Sequence, residues 1–207
     1  MAPAGAVVHR DRPLRAMTSA VATQAAALMP SFLTGAVAVQ MGDDLGFSER
    51  GLGAAVASFF LLAAVTSPHA GSLTDRLGPT RSLRIATSLT ATSLLATAVL
   101  VRSWWALLPA MAVGALGLTI SGPGTKVMVA RGVPAARHGI AFGVMAGAVP
   151  LSSLLAGAAV PSISLTAGWR WAFVAGAGVA ALGWVLAPQV DPGPPRRRSR
   201  RRRPTRR

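Results

Sequence analysis

The stretch from Leu52 to Val101 is LGAAVASFFLLAAVTSPHAGSLTDRLGPTRSLRIATSLTATSLLATAVLV, two apolar runs separated by a short charged segment. Each run has about 20 residues, which as an α-helix spans roughly 30 Å, the thickness of the hydrocarbon core of a bilayer. Neither run contains Asp or Glu, and most of their polar residues are Ser and Thr. The pattern predicts two membrane-crossing helices joined by a short connection, since a soluble helix needs a charged face.

Stretches of this kind recur along most of the chain, which has 207 residues and is 52% hydrophobic but contains only six Asp and Glu. Six of them are long enough to cross a bilayer. They extend approximately over residues 16–39, 52–70, 82–101, 105–129, 139–165 and 169–187. We therefore predict an all-α membrane protein, with a six-helix bundle over residues 16–188 between an amino-terminal arm, residues 1–15, and a tail, residues 189–207.

The scarcity of reactive side chains argues against an enzyme. The chain has no Cys and three His, and none of its six acidic residues lies within a predicted span. A thiol or metal centre therefore lacks a ligand set, and an intramembrane enzyme lacks a cluster of acids and bases. We expect no cofactor and no metal, and an integral-membrane enzyme is the least favoured interpretation.

The basic residues indicate the orientation of the chain, because Lys and Arg resist translocation and concentrate in cytoplasmic segments. The arm, the second and fourth connections and the tail together hold 17 arginines, whereas the first, third and fifth connections hold one each. Both termini are therefore predicted to be cytoplasmic, in the plasma membrane. An even number of crossings such as six satisfies this condition.

The charged segment after the second span is GSLTDRLGPTR, residues 71–81. Its glycines permit tight turns, its aspartate suits a helix N-terminus, and its arginines can bind carboxylates or carbonyl groups. The segment resembles the signature of the major facilitator superfamily, Gly-x-Leu-x-Asp-Arg-x-Gly-x-x-Arg, which lies between the second and third helices on the cytoplasmic side. The resemblance implies a small-solute transporter whose two halves this segment holds together. A basic topology loop is the alternative, but it explains only the arginines. The matching positions are Gly71, Leu73, Asp75, Arg76, Gly78 and Arg81.

A second similarity lies at the start of the sixth span, where GWRWAF, residues 168–173, matches the family's Gly-Trp-Arg-x-x-Phe pattern. Physically, Arg170 is expected to extend to the headgroups. The resemblance covers about residues 16–188, half of the twelve helices usual in the family. It implies a half bundle built as a 3+3 inverted repeat, which needs a second copy or a separate carboxyl-terminal half to alternate access. The other interpretation is a truncated, non-transporting membrane fragment.

Prolines at corresponding places in two spans point to a transport cavity, because loosened backbone in membrane helices lines cavities that are shielded from lipid. We expect Pro30 to interrupt the first span and Pro123 to interrupt the fourth. The family resemblance implies that these two helices line the central cavity. The candidate side chains for contact with the solute are Gln24, Thr34, Thr119 and Ser121. Each of them could instead hydrogen-bond a neighbouring helix.

Lys126 lies within the fourth predicted span. An intramembrane cation is a candidate for binding an anionic solute. The residue lies near the cytoplasmic end of the span, however, and extension of its side chain to the headgroups is the favoured interpretation.

Small residues form a stripe in the fifth predicted span. Gly139, Gly143 and Gly147 recur at every fourth position, and Pro150 follows as a further helix-breaking residue. Because small residues let helix backbones approach closely in lipid, this face is predicted to pack against another helix.

The tail contains nine arginines between residues 196 and 207, after a Pro-containing segment. Its composition predicts disorder. Contact with anionic headgroups is favoured over nucleic acid because the tail follows a membrane helix, and a shifted reading frame after a truncated gene is the remaining alternative. The expected partners are thus the lipid bilayer, a small solute and a second half, with no nucleic acid.

Overall fold

The computed structural model describes residues 11–46 and 48–187, and within those ranges it contains helices and no strand. The helices are α1 (Asp11–Ala36), α2 (Ala38–Leu45), α3 (Glu49–Leu77), α4 (Pro79–Leu100), α5 (Trp104–Gly132), α6 (His138–Ala146), α7 (Ala148–Ala159), α8 (Leu165–Ala167) and α9 (Trp169–Leu186). A 3-10 turn, Ala135–Arg137, precedes α6, and a π-helical turn, Val160–Ser164, joins α7 to α8. The predicted disordered tail and most of the predicted arm lie outside the described residues.

Five helical stretches of the described chain are long and apolar enough to cross a membrane: α3, α4, α5, the composite from the 3-10 turn to α8, and α9. A sixth is present if the bent pair of α1 and α2 counts as one span. The apolar runs in the sequence therefore correspond to membrane-length helices. Six crossings and two cytoplasmic ends stay predictions.

The first span is bent, and the bend is not at its proline. α1 continues through Pro30, and the backbone N–H of Val37 still donates to the carbonyl of Leu33 at 2.9 Å. The chain then turns by 61° into α2. α5 likewise continues through Pro123. A proline removes one backbone donor but does not end a helix whose later bonds remain intact. The predicted interruptions at Pro30 and Pro123 are therefore not observed, and the first span bends instead at Val37.

Two glycines form the tightest connections. Gly78, between α3 and α4, has a φ of +79°, and Gly168, between α8 and α9, has a φ of +99°. A residue with a Cβ is strained in this left-handed region. At Gly78 the N–H donates to the carbonyl of Thr74 at 2.9 Å and closes α3, while Pro79 begins α4 at once with the φ of a first helical turn.

The centre of the bundle is the crossing of α4 with α5, around which α1, α3 and α9 pack. A Cβ placed on Gly117 of α5 would lie 2.7 Å from Thr90 Oγ1 and 3.0 Å from the carbonyl oxygen of Ala86, both on α4. Ser93 Oγ of α4 donates to the carbonyl of Ala110 at 2.7 Å. The absence of a side chain at Gly117 and the hydrogen bond of Ser93 thus let the two helix backbones come into direct contact, as is usual for helix pairs in lipid.

The fifth span is segmented at Gly147, where α6 meets α7. The N–H of Gly147 donates to the carbonyls of Gly143 and Val144 at 3.3 and 3.1 Å, and Pro150 lies in the first turn of α7, where a missing N–H costs no helical bond. A Cβ on Gly139 or Gly143 would meet nothing within 4 Å. The predicted stripe therefore faces away from the other described helices, and packing on it stays a prediction.

Three side chains join α2, α4 and α9 at one end of the bundle. The guanidinium of Arg170 donates to the carbonyls of Ala98 and Val101 at 2.8 and 3.0 Å and lies over the ring of Trp169, 4.5 Å from its centroid. Trp169 Nε1 donates to Asp44 Oδ2 at 3.0 Å. We name Arg170, Trp169 and Asp44 the clasp. Arg170 thus satisfies free carbonyls at the carboxyl end of α4, a contact that the sequence did not predict. Its extension to the headgroups stays a prediction.

The opposite end of the bundle is rich in arginine, and we name it the basic end. Here α1, α4, α5 and α9 meet through a small apolar cluster of Ala16, Leu83, Met128 and Ala187. From α3 onward the arginines at this end are Arg76, Arg81, Arg84, Arg131 and Arg137, and Arg12 and Arg15 lie near the start of α1 at the same end. The clasp end has Arg50, Arg102 and Arg170 instead, together with Asp43 and Asp44.

Candidate functional site

A cavity of about 420 Å³ lies between α1, α3 and α5, towards the basic end. Its wall is largely Ala, Gly and Leu, with a few polar side chains, and it combines size and composition in the way that small-molecule sites do. The lining residues are Gln24, Ala63, Ala64, Ser67, Gly71, Leu118, Thr119, Gly122, Pro123 and Lys126.

Gln24 of α1 is the polar centre of this cavity. Its side-chain oxygen accepts hydrogen bonds from Ser121 Oγ and Thr125 Oγ1 of α5, each 3.4 Å long. The two hydroxyls lie one helical turn apart, so together they hold the amide from the α5 side. Each hydroxyl also donates to a carbonyl of α5 at 2.8–2.9 Å, so its bond to Gln24 is long and shared. The amide can exchange these weak bonds for a ligand.

Thr119 contributes a hydroxyl to the same wall. Its Oγ1 lies 3.0 Å from Thr66 Oγ1 of α3 and donates to the carbonyl of Ala115 at 2.8 Å. The hydroxyl pair connects α3 with α5 beside the cavity. Thr119 is therefore both a lining residue and a link between helices.

The other two predicted cavity residues do not line it. Thr34 is buried in α1, where its hydroxyl donates to the carbonyl of Pro30 at 2.7 Å. Ser121 is also buried, and its single hydroxyl proton is shared between the carbonyl of Leu118 at 2.8 Å and Gln24 at 3.4 Å. Thr34 thus belongs to the helix core, whereas Ser121 affects the cavity only through Gln24.

Lys126 is exposed and lies at the edge of the cavity, one turn beyond Gly122 on α5. None of the lining residues is acidic. In residues 11–46 and 48–187, moreover, no three His, Asp or Glu side chains come together as a metal site. Lys126 is therefore the one charged residue among those that line the cavity. Its exposure allows both predicted roles, binding of an anionic solute and extension to the headgroups.

Residues 20–207 match the sequence model of the Major Facilitator Superfamily. The chain belongs to the Major Facilitator Superfamily. No individual curated protein matches it. The family resemblance drawn from the two motifs is thus confirmed. As a superfamily member with several membrane-length helices, the chain is a multi-pass membrane protein of a transporter family.

The superfamily signature lies on both sides of the turn at Gly78 and not in an extended connection. Gly71 is in the interior of α3, where a Cβ would meet nothing within 4 Å, and it lines the cavity. No side chain caps the N-terminus of α4, so the expected capping by Asp75 is not observed. The exposed side chains of the signature are Leu73, Asp75, Arg76 and Arg81. Their contact with a second half stays a prediction.

Sequence reasoning missed the α3 wall of the cavity and one of the two hydroxyls that hold Gln24. Ala63, Ser67 and Gly71 follow one another at four-residue spacing and face the cavity together. Thr125 follows Ser121 by one turn on α5. Small residues at helical spacing in a membrane span were the available indication in both cases.

Proposed function

We propose that this chain is the amino-terminal half of a secondary transporter in the plasma membrane, and that the cavity between α1, α3 and α5 is its part of the solute site. The observation that carries the proposal is the cluster of Gln24 with Ser121 and Thr125. Polar groups inside a membrane domain are costly unless they are paired or functional. Here they open onto a cavity of about 420 Å³, a volume suited to a small solute.

The proposed solute carries an anionic oxygen, such as a carboxylate or phosphate. Lys126 supplies a positive charge at the cavity edge, and no acidic residue in the lining opposes it. The amide of Gln24 supplies neutral donors deeper in the wall. Charge-assisted hydrogen bonds of this kind are stronger than neutral ones, so an anion gains more from this wall than an uncharged solute does.

Both ends of the chain are proposed to be cytoplasmic. The support is the placement of the arginines, which the bundle gathers mainly at the basic end, where α3 ends and α4 begins. Segments rich in Lys and Arg stay on the cytoplasmic side of a membrane. On this orientation the cavity opens towards the cytoplasm and the clasp lies outside.

A second six-helix unit is proposed to complete the transporter, either another copy of this chain or a separate carboxyl-terminal half. The support is the low burial of two spans. In the most apolar part of α3, 17% of the residues are buried, and in that of the composite fifth span 22%. The corresponding share in α4, α5 and α9 is 39–44%. A Cβ on Gly53, Gly143 or Gly157 of these spans would meet nothing within 4 Å. Faces of small residues suit contact between helices in lipid.

Transport by the purified chain in proteoliposomes tests the solute site, with radiolabelled lactate, succinate and phosphate as probes. Wild-type uptake above that of protein-free vesicles is expected for at least one probe. Gln24→Ala and Lys126→Gln should each reduce it about tenfold or more, since a hydrogen bond to a charged group contributes about 1.5–3 kcal/mol. Ser121 and Thr125 keep their bonds within α5 in the Gln24 variant, so folding should be unaffected.

Arg131→Gln is the matched control, because Arg131 is exposed on α5 and does not line the cavity. It should transport like the wild type. Unchanged uptake in both cavity variants would exclude this cavity as the solute site. No uptake of any probe by the wild type would favour the non-transporting fragment.

Single cysteines test the second unit, because the chain has none of its own. Under oxidising conditions in native membranes, Gly143→Cys should give a disulfide-linked dimer if the partner is a second copy, and Val185→Cys, on the exposed face of α9, should not. A separate half would instead co-purify as another polypeptide. If the Gly143→Cys chain formed no disulfide-linked dimer and no other polypeptide co-purified with it, the proposal of a second unit would be contradicted.

A further inference from the structure

A basic and aromatic pair lies between α4 and α9 at the basic end, away from the cavity. The guanidinium carbon of Arg84 is 4.9 Å from the centroid of the Trp184 ring. Arg84 is half-buried, and its Nε is buried without a hydrogen-bond partner. Trp184 is 44% exposed, so the pair is accessible from the surface.

The charge of Arg84 has no counterion in the part of the chain that the structure describes. No described carboxylate forms an ion pair with it. Asp75 of α3, at the same end, is exposed to solvent, and Asp43 and Asp44 of α2 lie at the clasp end. A buried donor left without an acceptor costs about 1–3 kcal/mol. Nε itself is closed to outside groups, but Arg84 as a whole is only half-buried. An anion at its accessible side would therefore meet an uncompensated positive charge.

The position of the pair fits the boundary between hydrocarbon and headgroups. Arg84 is five residues after Pro79, which begins α4, or about 8 Å along the helix at 1.5 Å per residue. Trp184 lies in the last turn of α9, which ends at Leu186. Tryptophan prefers this boundary, and arginine there faces the phosphates. Arg81, one turn earlier on α4, is exposed and adds a second positive charge.

We propose that Arg84, Arg81 and Trp184 form a binding site for the phosphate of an anionic phospholipid. The planar fork of Arg84 can bind two phosphate oxygens at once. The Trp184 ring holds the guanidinium from one side and covers the upper part of an acyl chain. Arg81, exposed one turn earlier on α4, adds a second positive charge beside the phosphate. None of the three residues lines the cavity. Arg81 also belongs to the superfamily signature, so the test of this site uses Arg84 and Trp184.

Quenching of Trp184 fluorescence by brominated lipids tests the proposal on the full chain in phosphatidylcholine vesicles. Brominated phosphatidylglycerol is compared with brominated phosphatidylcholine at equal mole fraction. The other four tryptophans, Trp104, Trp105, Trp169 and Trp171, lie at the opposite ends of their helices, and Trp184→Phe measures their contribution. The wild type should prefer the anionic lipid about fivefold at Trp184, the effect of roughly one basic contact.

Arg84→Gln should remove most of this preference, and Arg84→Lys, which keeps the charge without the planar fork, should retain part of it. Arg131→Gln is the control for loss of charge at the same end and should keep the full preference. The proposal would be overturned if Arg84→Gln and Arg131→Gln reduced the preference for the anionic lipid equally, or if neither variant reduced it. If millimolar inorganic phosphate abolished the preference, the occupant would be a soluble phosphate and the lipid assignment would be wrong.

Discussion

Replacing Arg170 by Gln should destabilise the bundle by about 2–4 kcal/mol. Arg170 donates two charge-assisted hydrogen bonds, to the carbonyls of Ala98 and Val101 at 2.8 and 3.0 Å, and each such bond contributes about 1.5–3 kcal/mol. Its stacking on Trp169 at 4.5 Å adds about 0.5–1 kcal/mol. About half of the summed free energy applies, because the guanidinium is only partly buried and Gln can restore one neutral hydrogen bond.

The assay is the fraction of chain that stays monodisperse in detergent after heating, followed by size-exclusion chromatography. For a chain of this size, about 1 kcal/mol shifts the midpoint by 2–4 °C, so Arg170→Gln should lower it by roughly 5–15 °C. Arg170→Lys should lower it by about half as much, since an ammonium group cannot reach both carbonyls with one planar fork.

Arg102→Gln is the matched control, because Arg102 is exposed at the same end of the bundle. Its midpoint should stay within a degree or two of the wild type. If Arg170→Gln proved no more destabilising than Arg102→Gln, the guanidinium would be among the headgroups and the reasoning from the clasp would be refuted.

Further variants test other contacts. Gly117→Ala should destabilise by about 1–2 kcal/mol, because its Cβ would lie 3.0 Å from a backbone oxygen of α4, whereas Gly178→Ala, with nothing within 4 Å, should be neutral or slightly stabilising in the same heating assay. Trp169→Phe should cost about 1 kcal/mol by removing the bond to Asp44; adding Asp44→Asn should cost little more, and fully additive losses would argue against that bond. Asp75→Asn should leave insertion and thermal stability unchanged, since Asp75 is exposed, while weakening transport or association with a second half. Wild-type values in both functional assays would contradict a gate role.

The helices could be predicted from the sequence because burial in lipid imposes a simple length requirement on apolar runs. Their ends could not, because hydropathy does not detect a polar segment that remains helical. The predicted second span stops at Ala70, yet α3 continues to Leu77. The helix ends only where Gly78 adopts a positive φ and Pro79 starts the next helix, and those two residues were visible in the sequence as a turn.

The candidate site was predicted in part, and the failures have one physical reason. Gln24 and Thr119 line the cavity, but Thr34 does not, because a hydroxyl in a membrane helix can bond a carbonyl of its own preceding turn and then needs no partner elsewhere. The contacts of Arg170 were missed because its acceptors, at Ala98 and Val101, are about 70 residues away in sequence. The periodicity of the sequence does not show whether a polar side chain, such as that of Thr34 or Arg170, bonds its own helix or a distant one.

Hydroxyl groups that cross between helices fall into two kinds, and the difference connects folding with function. Ser93 and Ser152 are buried and donate to backbone carbonyls of neighbouring helices, at Ala110 and Ala25. Backbone acceptors are fixed by the helix, so these bonds hold the bundle together. The hydroxyls around Gln24 bond a side-chain amide at 3.4 Å, and a side chain can exchange such long bonds for a solute without moving a helix. For this reason the loss of Gln24 is expected to change uptake and leave the fold intact.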